Sequence, residues 1–388
     1  MKHLLCVTGS RAEYGILRRL LMLLSRTEGV KLSIIATGMH CDPKYGSTYK
    51  NIVSDGLDLS KVIDINLDSS SNEKIINSMS LCQNAFASIF ANHDYDAVMI
   101  LGDRYEIFSV ATAAAMNNIP LIHLHGGEKT LGNYDEFIRH AITKMSSLHL
   151  VSTEEYRKRV IQLGEHPSSV INIGALGAEN CRSLALPDKQ DLESRFGSLV
   201  KPYFVVVFHP ETLTKVSLTE QTLALITALS VFSEEYDFIF IGSNADTGSE
   251  KIINIIKSFC LQSASRYMIS VSPEEYLGLV KYSCGLIGNS SSGIIEAPSL
   301  NIATINIGDR QKGRVHGDSV IDAACTKAAI IAAIELSQSV NFHQKITRIN
   351  NPYYKKDSLK NAGDAIVRFL YSEKDADYKD FYDVDFNI

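Results

Sequence analysis

Short apolar runs alternate with longer amphipathic stretches along almost the whole chain. Leu4–Val7 reads as a buried strand. Ile16, Leu17, Leu20, Leu21 and Leu24 then recur at helical spacing before a second apolar run at Leu32–Ala36. The unit returns as strand Ala97–Leu101, helix Phe108–Met116, strand Leu121–His123, helix Phe137–Met145 and strand Leu148–Val151. Strands joined by crossover helices predict a parallel sheet covered on both faces. Between Val170 and Pro187 the pattern loosens, and the small residues of Asn172–Gly177 predict a hinge. A second series begins with strand Phe204–Phe208, helix Thr222–Phe232 and strand Phe238–Ile241. Helices at Lys251–Phe259 and Glu274–Val280 and strands at Leu286-Ile287 and Ala303–Ile307 continue it. The order predicts an α/β protein of two Rossmann-like domains facing a central cleft, lined by the carboxyl ends of the strands. Ser69–Asn72 reads as a loop, and the Asp-, Lys- and Tyr-rich tail after Tyr371 as peripheral.

Composition agrees with two domains, since a chain of 388 residues exceeds the size at which single cores stop growing. Charge sums to 38 minus 44, or −6, which leaves no basic surplus for a nucleic-acid backbone. No apolar run is long enough to span a membrane. Met1–Val7 is too short for the core of a signal peptide and reads as the first strand. The seven cysteines are scattered and never spaced Cys-x-x-Cys, the pattern of reduced thiols in a soluble cytoplasmic protein.

The polar residues that carry chemistry fall where the predicted strands end. Thr8–Gly15 joins the first strand to the first helix, so Arg11 near the helix start can hold an anion; an ordinary turn with a solvated arginine is the plain alternative. Gly288–Glu296 places three serines between glycines at a helix start, which suits a diphosphate better than a single cap requires. Glu296, about one turn further on, can accept hydrogen bonds from ribose hydroxyls. No Gly-x-x-x-x-Gly-Lys-Ser/Thr loop occurs and no Gly-x-Gly-x-x-Gly follows a strand, so the phosphate-bearing ligand is expected to be a substrate. Asp103 and Arg104 end another strand, either as a mutual ion pair or with Arg104 facing phosphate and Asp103 a sugar. Strand alternation puts His123 and His125 on one face, but no third ligand stands at metal-binding spacing, and no metal is expected. Asp135 and Glu136 open a helix and His140 lies within it, positions that also fit dipole partners and a structural hydrogen bond. His209 directly follows an apolar strand where the two domains would meet, and suits proton transfer or the neutralising of phosphate.

Taken in order, these motifs closely resemble the hydrolysing UDP-N-acetylglucosamine 2-epimerases of bacterial sialic acid biosynthesis, the NeuC type. The matching segments are Thr8–Gly15, Thr37–Cys41, Leu101–Glu106, His123–Glu128, His209–Thr212, Gly288–Gly293 and Asn306–Gln311. The resemblance implies a GT-B type pair of Rossmann domains with a C-terminal helix returning to the first. It divides the chain into 1–173, 174–365 and a tail, 366–388, packed on the N-terminal domain. It implies conversion of UDP-N-acetylglucosamine and water to N-acetylmannosamine and UDP, without a cofactor, by a homodimer or homotetramer. Arg11, Gly15, Arg104, His209, Asn244, Ser290, Ser291, Glu296 and Arg310 match nucleotide-contacting positions. Asp103, His125, Glu128, Asp135, Glu136 and His209 fall in or beside the acid–base cluster. Related non-hydrolysing epimerases carry a carboxylate where His125 stands, so that base does not transfer to this position. The alignment also leaves Asp135 and Glu136 unseparated. Neighbouring readings are a hydrolysing 2-epimerase of a UDP-2,4-diacetamido-trideoxyhexose and a non-hydrolysing epimerase. A GT-B glycosyltransferase and a UDP-sugar sensor belong to other classes.

Overall fold

A computed structural model describes residues 1–211, 213–214, 216–242, 249–269, 271–348, 350–372 and 379–385. Among the described residues, thirteen strands form two sheets. The first holds β1 (Lys2–Thr8), β2 (Val30–Thr37), β3 (Leu59–Ile63), β4 (Ala97–Leu101), β5 (Leu121–Leu124), β6 (Leu148–Val151) and β7 (Val170–Asn172). The second holds β8 (Tyr203–Val207), β9 (Asp237–Ile241), β10 (Arg266–Met268), β11 (Gly285–Gly288), β12 (Thr304–Ile307) and β13 (Val320–Ala323). Their orders are β3-β2-β1-β4-β5-β6-β7 and β10-β9-β8-β11-β12-β13, and every pairing is parallel. Both sheets thus reverse strand order beside their first strand, at β1/β4 and β8/β11, the crevice where open α/β sheets take ligands. The expected pair of Rossmann-like units is present.

Burial on both faces explains why the central strands are apolar along their length. Leu4 and Cys6 enter one core cluster while Leu5 and Val7 enter the cluster on the opposite face of the same sheet. In β8, Phe204 and Val206 face one cluster and Tyr203, Val205 and Val207 the other. Each fully buried Leu or Phe contributes about 1.5–3 kcal/mol relative to exposure. Val151, Tyr156 and Val170 meet Ile294, Ile295, Val320 and Tyr353 in a further cluster that joins the two sheets.

The expectations change in two places. The Asn172–Gly177 run read as a hinge joins the end of β7 to a helix, Leu176–Ser183, whose Cys181 and Asn180 bond to Glu296 O and Ile16 O. Small residues permit that close packing between domains as readily as they permit flexibility. The Ser69–Asn72 run is not all loop: Ser71 caps Lys74 N and Asn72 begins a helix to Ala91. The last helix, Ser358–Tyr371, buries Ala362, Ala365, Ile366 and Leu370 against the helix Arg11–Ser25. Beyond it, Lys379 donates to Ser146 O and pairs with Glu165, and Tyr382 N donates to Gly164 O. No helix among the described residues is long and apolar enough to cross a membrane.

Candidate active site

A cleft opens at the carboxyl ends of both sheets. Arg11, Gly15 and His125 line it from the first domain; His209, Ser290, Ser291, Glu296 and Arg310 line it from the second. Asp103, Arg104, Glu128, Asp135 and Glu136 do not line it directly; most form a polar network adjoining His125 and Arg310. Asn244 lies outside the described residues.

The second-domain wall carries hydroxyls and amides. Gly288 has a φ of 138°, and a side chain there would collide with Val207 O, so only glycine lets β11 turn toward the cleft. Asn289 then locks the two loops together: its Oδ1 accepts from His209 N at 2.8 Å and its Nδ2 donates to His209 O at 2.9 Å. Ser290 Oγ lies 3.1 Å from Ser292 Oγ, which also bonds Tyr276 OH. The helix opened by this loop is only Ser292–Ile295, because Pro298 starts a 3-10 turn, Ala297–Leu300. Glu296 is therefore the junction residue and not one turn inside a helix. Burial raises its carboxyl to about 7. Arg310 Nη1 donates to Asn289 O at 3.0 Å. From the first domain, Ser10 caps the helix carrying Arg11, and Gly15 passes so close to Pro273 that a Cβ would stand 2.8 Å from its Cγ. Burial lowers the Arg11 pKa, a desolvation that an anion would relieve.

The first-domain network is built on two arginines. Arg139 is 1% exposed and donates from Nε to Asp103 Oδ2 at 2.8 Å, from Nη1 to Glu128 O at 2.8 Å and to Glu136 Oε2 at 3.1 Å. Its Nη2 donates to Thr130 Oγ1 at 2.7 Å. Arg314 Nη1 reaches Glu128 Oε2 at 2.8 Å, and Glu128 Oε1 lies 3.1 Å from His125 Nδ1 and accepts from Ser152 Oγ at 2.9 Å. Burial alone would raise the Glu128 pKa; the Arg314 charge and the His125 bond outweigh it and hold the group well below the usual carboxylate range. For Glu136, burial is outweighed by bonds from His140 and Thr130 N and by Arg139, giving about 2.

Asp103 and Arg104 bond in different directions: Arg104 Nε donates to Glu106 Oε1 at 2.7 Å, while Asp103 pairs with Arg139. Asp135 and Glu136 also separate. Glu136 turns inward to Thr130 N at 2.6 Å, whereas Asp135 accepts from Asn133 Nδ2 at 2.9 Å and faces Arg310 Nη2 of the other domain at 4.0 Å. The expectation that His123 and His125 share a strand face fails, because β5 ends at Leu124 and His125 turns to a φ of 65°. His123 stays buried between Gly102 O (2.8 Å) and Thr143 Oγ1 (3.2 Å). His140 bonds Glu136 Oε1 at 3.2 Å. The described residues contain no group of three His, Cys, Asp or Glu that could hold a metal.

Arg139, Arg314 and Tyr276 went unmarked in the sequence reading. Arg139 had a signal, an arginine one turn after two helix-opening carboxylates. Arg314 and Tyr276 had none, since their partners are remote in the chain.

Residues 23–367 match the family model described as UDP-N-acetylglucosamine 2-epimerase. The chain is 60% identical over 99% of its length, and 98% of the relative's, to the polysialic acid biosynthesis protein P7 of Escherichia coli. It is 38% identical over 88% of its length, and 89% of the relative's, to a GDP/UDP-N,N'-diacetylbacillosamine 2-epimerase (hydrolyzing) of Campylobacter jejuni. Among solved structures, the S. aureus MnaA–UDP complex superposes with a TM-score of 0.79 at 15% identity, covering 98% of this chain and 100% of that one. A Neisseria meningitidis UDP-GlcNAc 2-epimerase bound to UDP-GlcNAc gives 0.78 at 15% identity, covering 94% and 100%. These superpositions give the GT-B-like fold. By its family match and its relatives, the chain belongs to the UDP-N-acetylglucosamine 2-epimerase family.

Proposed function

We propose that the chain is a hydrolysing epimerase that converts UDP-N-acetylglucosamine and water to N-acetylmannosamine and UDP, the first step of bacterial sialic acid synthesis. One observation carries the reading: an arginine- and hydroxyl-lined wall for a diphosphate faces, across one cleft, a buried network of carboxylates and arginines ending on His125. The 60% relationship to a polysialic acid biosynthesis protein supports the pathway, and the Campylobacter relative named as hydrolyzing supports the loss of UDP.

The sugar C2 proton is not acidic, because no carbonyl lies beside it. Breaking the C1–O bond builds positive charge at C1 and makes loss of that proton feasible. Arg11, Arg310 and the Ser290–Ser291 loop share the charge of the departing diphosphate, with His209 beside them, and Glu296 accepts from the ribose hydroxyls. Both oxygens of Glu128 are engaged, by Arg314, His125 and Ser152, and both of Glu136, by Arg139, Thr130 N and His140, whereas Arg139 binds Asp103 through Oδ2. We therefore assign proton transfer to His125 and to Asp103, which Arg139 holds at the end of β4. The elimination leaves 2-acetamidoglucal; water then adds at C1 while a proton returns to C2 from the opposite face. Asp135 and Arg310 bring the two domains together over the sugar. No cofactor enters these steps. We place the enzyme in the cytoplasm as a homodimer or homotetramer, its domains dividing near residues 173–174.

A second reading has a specific observation behind it: relatives at 38% and 33% identity are named as diacetylbacillosamine 2-epimerases. Product analysis separates the two. Purified protein incubated with UDP-N-acetylglucosamine should yield free N-acetylmannosamine and UDP. UDP-N-acetylmannosamine as product would make the enzyme non-hydrolysing, and turnover of only the diacetamido donor would favour the second reading.

A further inference from the structure

Arg314 lies on the loop between β12 and β13 of the second sheet, yet its Nη1 donates to Glu128 of the first domain at 2.8 Å. Both side chains are nearly sealed, 6% and 3% exposed. An ion pair buried this way adds little stability over a well-packed apolar pair, so stability alone gives no reason for one here. Glu128 uses its other oxygen on His125 Nδ1. His125 is held in the left-handed region, at a φ of 65°, which costs a residue with a Cβ roughly 1–3 kcal/mol. Its Nε2 is buried without a hydrogen-bond partner while the ring lines the cleft. Arg314 is thus the far end of a chain of contacts that finishes on the cavity.

The same short loop is tied to the nucleotide wall. Arg310 Nη1 and Gln311 Nε2 both donate to Asn289 O, at 3.0 and 2.8 Å, one residue before Ser290. Arg314 N donates to Gln311 O at 3.1 Å, and Leu131 N of the first domain donates to Lys312 O at 3.1 Å. Val315 N donates to Tyr156 OH at 2.9 Å. These bonds link the serine loop to the loop that carries Arg314, and Arg314 to the carboxylate beside His125.

We propose that Arg314 is a positioning residue, a strut between domains that sets Glu128, and through it His125, only when the second domain seats on the first. The proposal rests on the reading that His125 transfers a proton. Wild-type turnover of UDP-N-acetylglucosamine is measured first, and its absence would end that reading without testing Arg314. Then Arg314→Gln, Arg314→Lys, Glu128→Gln and the Arg314→Gln/Glu128→Gln double variant are compared for kcat, for UDP Kd by calorimetry and for melting temperature. Arg314→Gln should lower kcat by about 10²-fold, the scale of a small misplacement in a site. UDP Kd should move by less than about threefold, and the double variant should be no slower than Glu128→Gln alone, since the two residues act as one unit. Arg314→Lys, which keeps the charge and carries the test if the glutamine variant does not fold, should melt as the wild type does and have an intermediate kcat. An unchanged kcat in either Arg314 variant, a loss confined to UDP affinity, or losses that multiply in the double variant would overturn the proposal.

Discussion

Arg139 Nε donates to Asp103 Oδ2 at 2.8 Å, so a residue of the helix Asp135–Met145 holds the carboxylate at the end of β4. The same guanidinium bonds Glu128 O and Glu136, which makes it the fixed point of the first-domain network. Replacing it by methionine leaves Asp103 and Glu136 without their shared cation in a largely buried setting. The expected loss is about 3–5 kcal/mol of stability, measured by urea unfolding. A variant as stable as the wild type would show that the network relaxes around the loss.

Asp103→Asn should nearly abolish turnover while leaving UDP binding intact, because Asp103 belongs to the proton-transfer side and not to the diphosphate wall. A loss of about 10²–10⁴-fold in kcat, the usual contribution of a general acid or base, is expected in a steady-state assay. Unchanged kcat would remove Asp103 from the chemistry.

Gly15→Ala tests the seating of the domains. Its Cβ would stand 2.8 Å from Pro273 Cγ, closer than van der Waals contact allows, so the helix Arg11–Ser25 and the helix Pro273–Lys281 must separate. Arg11 and the serine loop then no longer close on one anion. UDP affinity should fall by about tenfold or more, or roughly 1.4 kcal/mol, as read by calorimetry, with the fold intact by circular dichroism.

Stability should carry a signature of Glu13. Its carboxyl, 5% exposed, is raised to about 8 by burial and by the neighbouring Glu106. In the unfolded chain the group ionises near the ordinary value of about 4.3. Between those pH values the folded state binds the extra proton, so this group's contribution is full at low pH and lost as pH rises through about 8. The melting temperature of Glu13→Gln should therefore gain on that of the wild type between pH 5 and 9. Parallel curves in scanning calorimetry would contradict the assignment.

Much of this architecture was legible because fully buried parallel strands must be apolar along their whole length. Ala97–Leu101 and Leu148–Val151 were bounded correctly for that reason. The edge strands β3 and β13 and the helix Asn72–Ala91 were not seen. The middle residues of β3 are exposed, and that helix buries only a thin stripe such as Ile75, Cys82 and Phe86 among polar neighbours. At the site, the loops were legible because glycines, serines and charges crowd the strand ends. Which charge meets which was not: Asp103 pairs with Arg139 and not with Arg104, and Glu128 with Arg314, across 36 and 186 positions of chain. Such pairings are decided by tertiary approach, which local spacing does not encode. His125 was misread for a related reason, since the end of β5 depends on the left-handed turn that follows it.

Leaving-group departure and exchange at C2 should occur together in the one cleft. Proton NMR of UDP-N-acetylglucosamine incubated with the protein in deuterated water follows both events at once. The predicted spectrum shows free N-acetylmannosamine carrying deuterium at C2, with UDP accumulating in equal amount. A released sugar that retains its original C2 proton, or a donor that remains intact, would contradict the account.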